Sequence, residues 1–173
     1  CYGGYKYIPG RWAKVAKEMI DFYKLTNDSK ILDIGCGKGY LLYEISLILP
    51  NAKLYGLDIS KYAIDNSKEE IKNNLKIGNA TNLPWGDNYF DFVYSLNSLH
   101  CLPARDLYKS LIEMERVGKN DKYLCVESFR NEEEKANLLY WQVTCESFHN
   151  KDSWQWWFEL TGYKGDYSFI YFE

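Results

Sequence analysis

The sequence has no long apolar run; nothing in it approaches the roughly 20 apolar residues that a membrane-spanning helix needs. No secretory leader is visible at its start. Lys and Arg do not cluster and the net charge is −3, so the several contacts that grip a nucleic-acid backbone have no evident source. Five cysteines (Cys1, Cys36, Cys101, Cys125, Cys145) form no close pair and no metal-ligand spacing. Their odd number favours reduced thiols in the cytoplasm over a disulfide framework, and no metal is expected. Internal repeats, low-complexity tracts and linkers are also missing. The first residue is Cys1 rather than Met, so we expect natural residues ahead of it. What is present, 173 residues with 46% hydrophobic and 26% charged, suits one domain over 1–173 with a sizeable core. The aromatic share is high, at 17%.

The hydrophobic periodicity changes along the chain. Trp12, Val15, Ala16, Met19, Ile20 and Tyr23 recur at helical spacing. Apolar strand patterns follow at 30–34, 53–58, 75–78, 91–96 and 123–129, with a last one at 166–172. Helix patterns fall between them at 40–49, 60–73 (with Ser60 as N-cap), 103–118 and 151–161. The segment 130–150 reads as partly helical, and 138–144 is a candidate for a further strand. Strands alternating with helices imply an α/β fold with a doubly wound, mainly parallel sheet.

The run Ile31-Leu-Asp-Ile-Gly-Cys-Gly-Lys-Gly-Tyr-Leu-Leu42 carries the chemistry. A buried strand turning sharply into a helix through glycines brings backbone N–H groups against a nucleotide-like ligand. A dinucleotide fingerprint places its third glycine three residues after the second. Here Gly35, Gly37 and Gly39 alternate, and Asp33 precedes them. A carboxylate so placed repels a pyrophosphate and suits a cation. Asp58 lies 19 residues beyond Gly39, the place for an acid that accepts ribose hydroxyls. A cationic ligand with a ribose and no pyrophosphate fits S-adenosyl-L-methionine.

Three ordered motifs resemble those of the class I S-adenosylmethionine-dependent methyltransferases, over about residues 11–129. They are Asp33-Ile-Gly35-Cys-Gly37-Lys-Gly39, then Leu57-Asp58-Ile59-Ser60, then Gly78-Asn79-Ala80-Thr81-Asn82-Leu83-Pro84-Trp85 with Asp87–His100 following. The resemblance implies six or seven strands with an antiparallel strand at the C-terminus, since the family sheet ends in a hairpin. It implies cofactor contacts at Asp33, Gly35, Cys36, Gly37 and Gly39. It implies others at Asp58, Ile59, Asn79, Ala80 and Asn97. Asn79 stands where many relatives carry Asp. The segment 1–12, with Tyr2, Tyr5, Tyr7, Arg11 and Trp12, corresponds to one that folds over the cofactor as a lid in relatives. Arg11 would then meet the methionine carboxylate.

Each assignment has a plainer counterpart. Asp33 also suits bracing of the glycine turn, and Asp58 suits a cap. Cys36 suits small-residue packing better than attack on a substrate. His100 and Glu127, at the carboxyl edge after two strands, are the candidate catalytic pair. His100 would be a base, and Glu127, helped by Arg130, would hold an amine-bearing acceptor. Alternatively, His100 packs and Glu127 forms an ion pair. The expected activity is in-line methyl transfer to nitrogen or oxygen of a small polar acceptor. The alternatives are aminopropyl transfer in the same pocket and a non-catalytic partner subunit.

Overall fold

The computed structural model describes residues 6–142 and 144–173. Tyr2, Tyr5 and the start of the expected lid lie outside the described residues. Six strands form one sheet in the order β3-β2-β1-β4-β5-β6. They are β1 Lys30–Ile34, β2 Lys53–Asp58, β3 Leu75–Ile77, β4 Phe90–Leu96, β5 Gly118–Glu127 and β6 Asp166–Ile170. The helices are α1 Ala13–Phe22, α2 Tyr40–Ile48, α3 Lys61–Asp65, α4 Ala104–Val117, α5 Glu132–Trp141 and α6 Lys151–Thr161. None among the described residues is long and apolar enough to cross a membrane.

β1 pairs in parallel with β2 on one side and β4 on the other. It is covered on both faces, which is why Ile31, Leu32 and Ile34 run without polar alternation. One face packs Ala16, Met19 and Ile20 of α1 and Leu41, Leu42 and Ile45 of α2 against Ile31, Phe92 and Tyr94. The other packs Leu107, Leu111 and Met114 of α4 and Trp154 and Phe158 of α6 against Leu32, Val93 and Leu124. The chain winds outward from β1 to β3, then returns to lay β4 on the opposite side of β1. That reversal opens a crevice at the carboxyl ends of β1 and β4.

Four expectations need correction. The last strand is parallel, not antiparallel: β6 lies beside β5 with Tyr123 opposite Asp166 and Glu127 opposite Ile170. α5 and α6 together form a crossover that returns the chain to the starting end of β5, and a crossover of this kind yields a parallel pair. Among the described residues of 138–144 none forms a strand, because 138–141 complete α5. The helix expected over 60–73 breaks into α3 and a 3₁₀ helix, Glu69–Asn74. Asn66 Nδ2 donates to Tyr62 O and Ser67 Oγ to Ile64 O, local bonds that end the helix early. β5 starts at Gly118 instead of Tyr123. Its polar first half pairs with β4 across a register shift between Phe90 and Phe92, which alternation does not signal.

Candidate functional site

The glycine turn is locked to the end of β2. Gly35 and Cys36 N–H both donate to Leu57 O, at 2.8 and 3.1 Å. Asp58 Oδ2 accepts from Gly37 N at 2.7 Å, and Oδ1 from Ser60 N at 2.8 Å. Asp58 therefore braces the turn without lining the cleft before Gly37, while Ser60 Oγ caps α3 by accepting from Ala63 N. Ser60, not Asp58, is therefore the cap, and the Asp58 carboxylate keeps lone pairs beyond its two bonds. Asp58→Asn should weaken S-adenosylhomocysteine binding by about 1.5–3 kcal/mol, the scale of a hydrogen bond to a charged group. A 2′,3′-dideoxy analogue should lose less in calorimetry; equal losses would make Asp58 a brace alone.

Gly35, Gly37 and Gly39 all take positive φ, at +79°, +55° and +71°. Their surroundings differ. A Cβ on Gly35 would stand 2.0 Å from Ser98 Oγ, and one on Gly39 2.4 Å from Ile71. A Cβ on Gly37 would meet nothing within 4 Å. The space before Gly37 is a cleft of about 770 Å³ lined by Asp33, Gly35, Cys36, Gly37 and Lys38. Tyr40, Leu41, Tyr62 and Ala63 close one side of it. Trp12, Val15, Leu96, Asn97, Tyr123, Cys125 and Ile170 close the other.

Asp33 is 5% exposed. Burial raises its carboxyl to about 8; the Tyr94 hydroxyl draws it down and Asp58 pushes it up. A cation beside this buried acid would favour its ionised form. Cys36 is buried too, beside the space left by Gly56. Burial lifts its thiol far above the usual range, so it packs the turn as a protonated side chain.

The other candidates spread along the same edge. Ile59, 73% exposed, and the exposed Asn79 stand past β2 and β3. Asn79 Oδ1 is engaged by Thr81 N at 2.9 Å, and Ala80 is half-buried beside it. Arg11 is exposed and outside the cleft lining. The sequence did not single out Glu44, the buried acid that ties down the N-terminal segment. Its Oε1 accepts from Tyr7 OH at 2.7 Å and Gly10 N at 3.0 Å. The Glu44 contact, followed by burial, raises the Tyr7 hydroxyl to about 12. A lone charge within the apolar helix Tyr40–Ile48 was the signal available.

His100 and Glu127 come together, as their positions after β4 and at the end of β5 suggested, but behind the cleft. Each is 1% exposed, and His100 Nε2 lies 3.4 Å from Glu127 Oε2. Burial lowers the imidazole, which is neutral at neutral pH. Gln142 Nε2 donates to Glu127 Oε1. Glu146 N and Ser147 N donate to His100 O at 3.1 and 3.0 Å, strapping the segment before α6 over the pair. Arg130 turns away, to Glu134 and Glu173.

The comparisons with known proteins agree with this geometry. A family profile described as "Methyltransferase domain" matches residues 25–162. The demethylmenaquinone methyltransferase of Symbiobacterium thermophilum is 28% identical over 131 residues, covering 69% of this chain and 50% of the relative. The 24-methylenesterol C-methyltransferase 3 of Arabidopsis thaliana is 26% identical over 145 residues, covering 75% and 40%. The chain thus spans about half or less of the length of these relatives. The YcgJ protein of Bacillus subtilis shares the fold with a TM-score of 0.68 at 22% identity, over 86% of this chain and 67% of that one. Taken with the glycine turn and its two acids at the switch point of the sheet, the profile match over most of the sequence shows that the chain belongs to the class I S-adenosylmethionine-dependent methyltransferase family.

Proposed function

We propose that this chain binds S-adenosyl-L-methionine at the β1 turn and moves its methyl group to a small molecule held over β4 and β5. The observation that carries this reading is the open space before Gly37, with the Asp33 carboxyl in its lining and the Asp58 carboxylate bonded to Gly37 N–H beside it. The residues fit the ligand: an acid for its ammonium, an acid for its ribose and a Cβ-free approach to the backbone between them. When bound, S-adenosylmethionine supplies an electrophilic methyl on a positively charged sulfur, whose departure needs no acid.

The task left to the protein is alignment and exclusion of water. Trp12, Tyr40 and Tyr62 wall the cleft with aromatic faces, which favour a nearby cation. The segment ending at Trp12, latched by Glu44, serves as the lid. Ile59, Asn79 and Ala80 offer an edge for the adenine. His100 and Glu127 act from behind the cleft by holding the ends of β4 and β5 in register; access as a base would require the 144–147 strap to open. The nitrogen or oxygen acceptor fits a base-free cleft when the atom arrives with a lone pair. A cytoplasmic location belongs to the same proposal, since the cosubstrate is an intracellular nucleotide derivative.

Titration calorimetry with S-adenosylmethionine, its decarboxylated analogue and S-adenosylhomocysteine tests the reading. The two carboxylate-bearing ligands should bind, and a labelled methyl should pass from the first into a metabolite extract. Tighter binding of the decarboxylated analogue would favour aminopropyl transfer. Silence with all three would overturn the proposal.

A further inference from the structure

We infer that the acceptor is a largely apolar molecule carrying, apart from the lone-pair nitrogen or oxygen that takes the methyl, a neutral hydroxyl or carbonyl, which the Asn97 amide receives. The inference rests on the proposed methyl transfer and names the acceptor class for that same cleft. It narrows the polar acceptor expected from the sequence.

The charge distribution in the cleft leads to it. Among the described lining residues the charges are Asp33 and Lys38, both on the β1 side that the cofactor would occupy. Across β4, β5 and β6 the lining is Leu96, Asn97, Tyr123, Cys125 and Ile170, facing Trp12 and Val15. The Tyr123 hydroxyl is already engaged with Ser168 Oγ at 2.6 Å. Burial keeps the Cys125 thiol protonated, a weak donor. A carboxylate or ammonium placed here would lose its hydration and find no opposite charge. An apolar ring would bury its faces against Trp12 and Tyr123.

Asn97 breaks the apolar wall, and it does so at a cost. Its φ is +54°, a left-handed conformation that asparagine tolerates better than most residues. Its Nδ2 and Oδ1 are both hidden from solvent and without a hydrogen-bond partner. Its backbone N–H donates to Cys125 O at 2.8 Å, so the backbone that carries the side chain is fixed between the β4 and β5 ends. The next residue, Ser98, packs on Gly35. An orphaned amide beside a cleft destabilises the free protein and is relieved by a ligand that offers the missing partner. Donor and acceptor together suit a neutral hydroxyl or carbonyl.

The test titrates protein saturated with S-adenosylhomocysteine against 1-naphthol, naphthalene, 1-naphthoate and 1-naphthylmethylammonium. 1-Naphthol should bind at least about tenfold tighter than either charged probe and measurably tighter than naphthalene. Asn97→Gly keeps the left-handed backbone available while deleting the amide. It should lose the preference for 1-naphthol over naphthalene, read as the ratio of the two affinities in variant protein saturated with S-adenosylhomocysteine. The inference is overturned if a charged probe matches 1-naphthol, if no probe binds, or if Asn97→Gly leaves the naphthol preference intact. Failure of S-adenosylhomocysteine to bind wild-type protein would instead overturn the methyl-transfer reading on which it rests.

Discussion

Gly37→Val is expected to abolish S-adenosylhomocysteine binding while the protein still folds, and Gly35→Ala to lose the fold itself. The two glycines share a positive φ and differ in what stands before them. At Gly37 an added Cβ meets no protein atom within 4 Å beyond its chain neighbours. The cost to folding is the left-handed backbone, about 1–2 kcal/mol for a residue with a Cβ and more for a branched one. The loss of binding is larger, because the valine methyls occupy space that the ligand needs against the backbone. At Gly35 a Cβ would overlap Ser98 Oγ at 2.0 Å. Ser98 follows the Asn97 turn at the end of β4, so relief would pull β4 away from β1. Calorimetry gives the affinities and thermal melts give the stabilities. Near-native affinity in Gly37→Val would remove the cofactor from this turn. A Gly35→Ala protein as stable as wild type would show that the turn has more room than its geometry allows.

The second large effect is a pH-dependent affinity. Asp33, raised by burial to about 8, is protonated in the free protein at neutral pH. A ligand ammonium needs the carboxylate, so binding below that value releases a proton from Asp33. Affinity should rise by about tenfold per pH unit between pH 6 and 8, then level. The sign for stability is the reverse. A folded pKa above the ordinary carboxyl range contributes stability that is complete below that range and is lost as pH rises toward about 8. Asp33→Asn removes the buried acid and its repulsion by Asp58. It should raise the melting temperature of the ligand-free protein at pH 8, flatten the pH slope of binding and weaken binding at pH 8 at least about 100-fold. An affinity that stays level across this window in the wild type would show that Asp33 does not exchange a proton with the ligand. Site residues that destabilise the free protein and favour the bound one are a known form of functional strain.

Much of the fold was legible because its signals are local. β1, β2 and α6 begin and end where periodicity put them. An apolar run covered on both faces, a serine cap and a glycine-rich turn each act over a few residues. The helix over 60–73 failed for an equally local reason: the short polar side chains of Asn66 and Ser67 bond the backbone and stop it. The first half of β5 was illegible because Lys119, Asn120 and Asp121 become strand by pairing with distant β4, not by pattern.

The sequence by itself determined the strand, turn and helix of the proposed cofactor half. Strand, turn and helix are contiguous there, so the backbone requirement for glycine and the placement of Asp33 and Asp58 at strand ends follow from short-range geometry. Only the tertiary structure decided the proposed acceptor half. Its wall comes from α1, β4, β5 and β6, which lie far apart in the chain and meet through packing. Burial, which no local pattern reports, turned His100 and Glu127 from a presumed rim into a closed pair and Tyr123 and Cys125 from strand filler into cleft lining. The direction of β6 was likewise settled by α5 and α6 crossing back beside the sheet, a consequence of how two helices find room on faces already partly occupied.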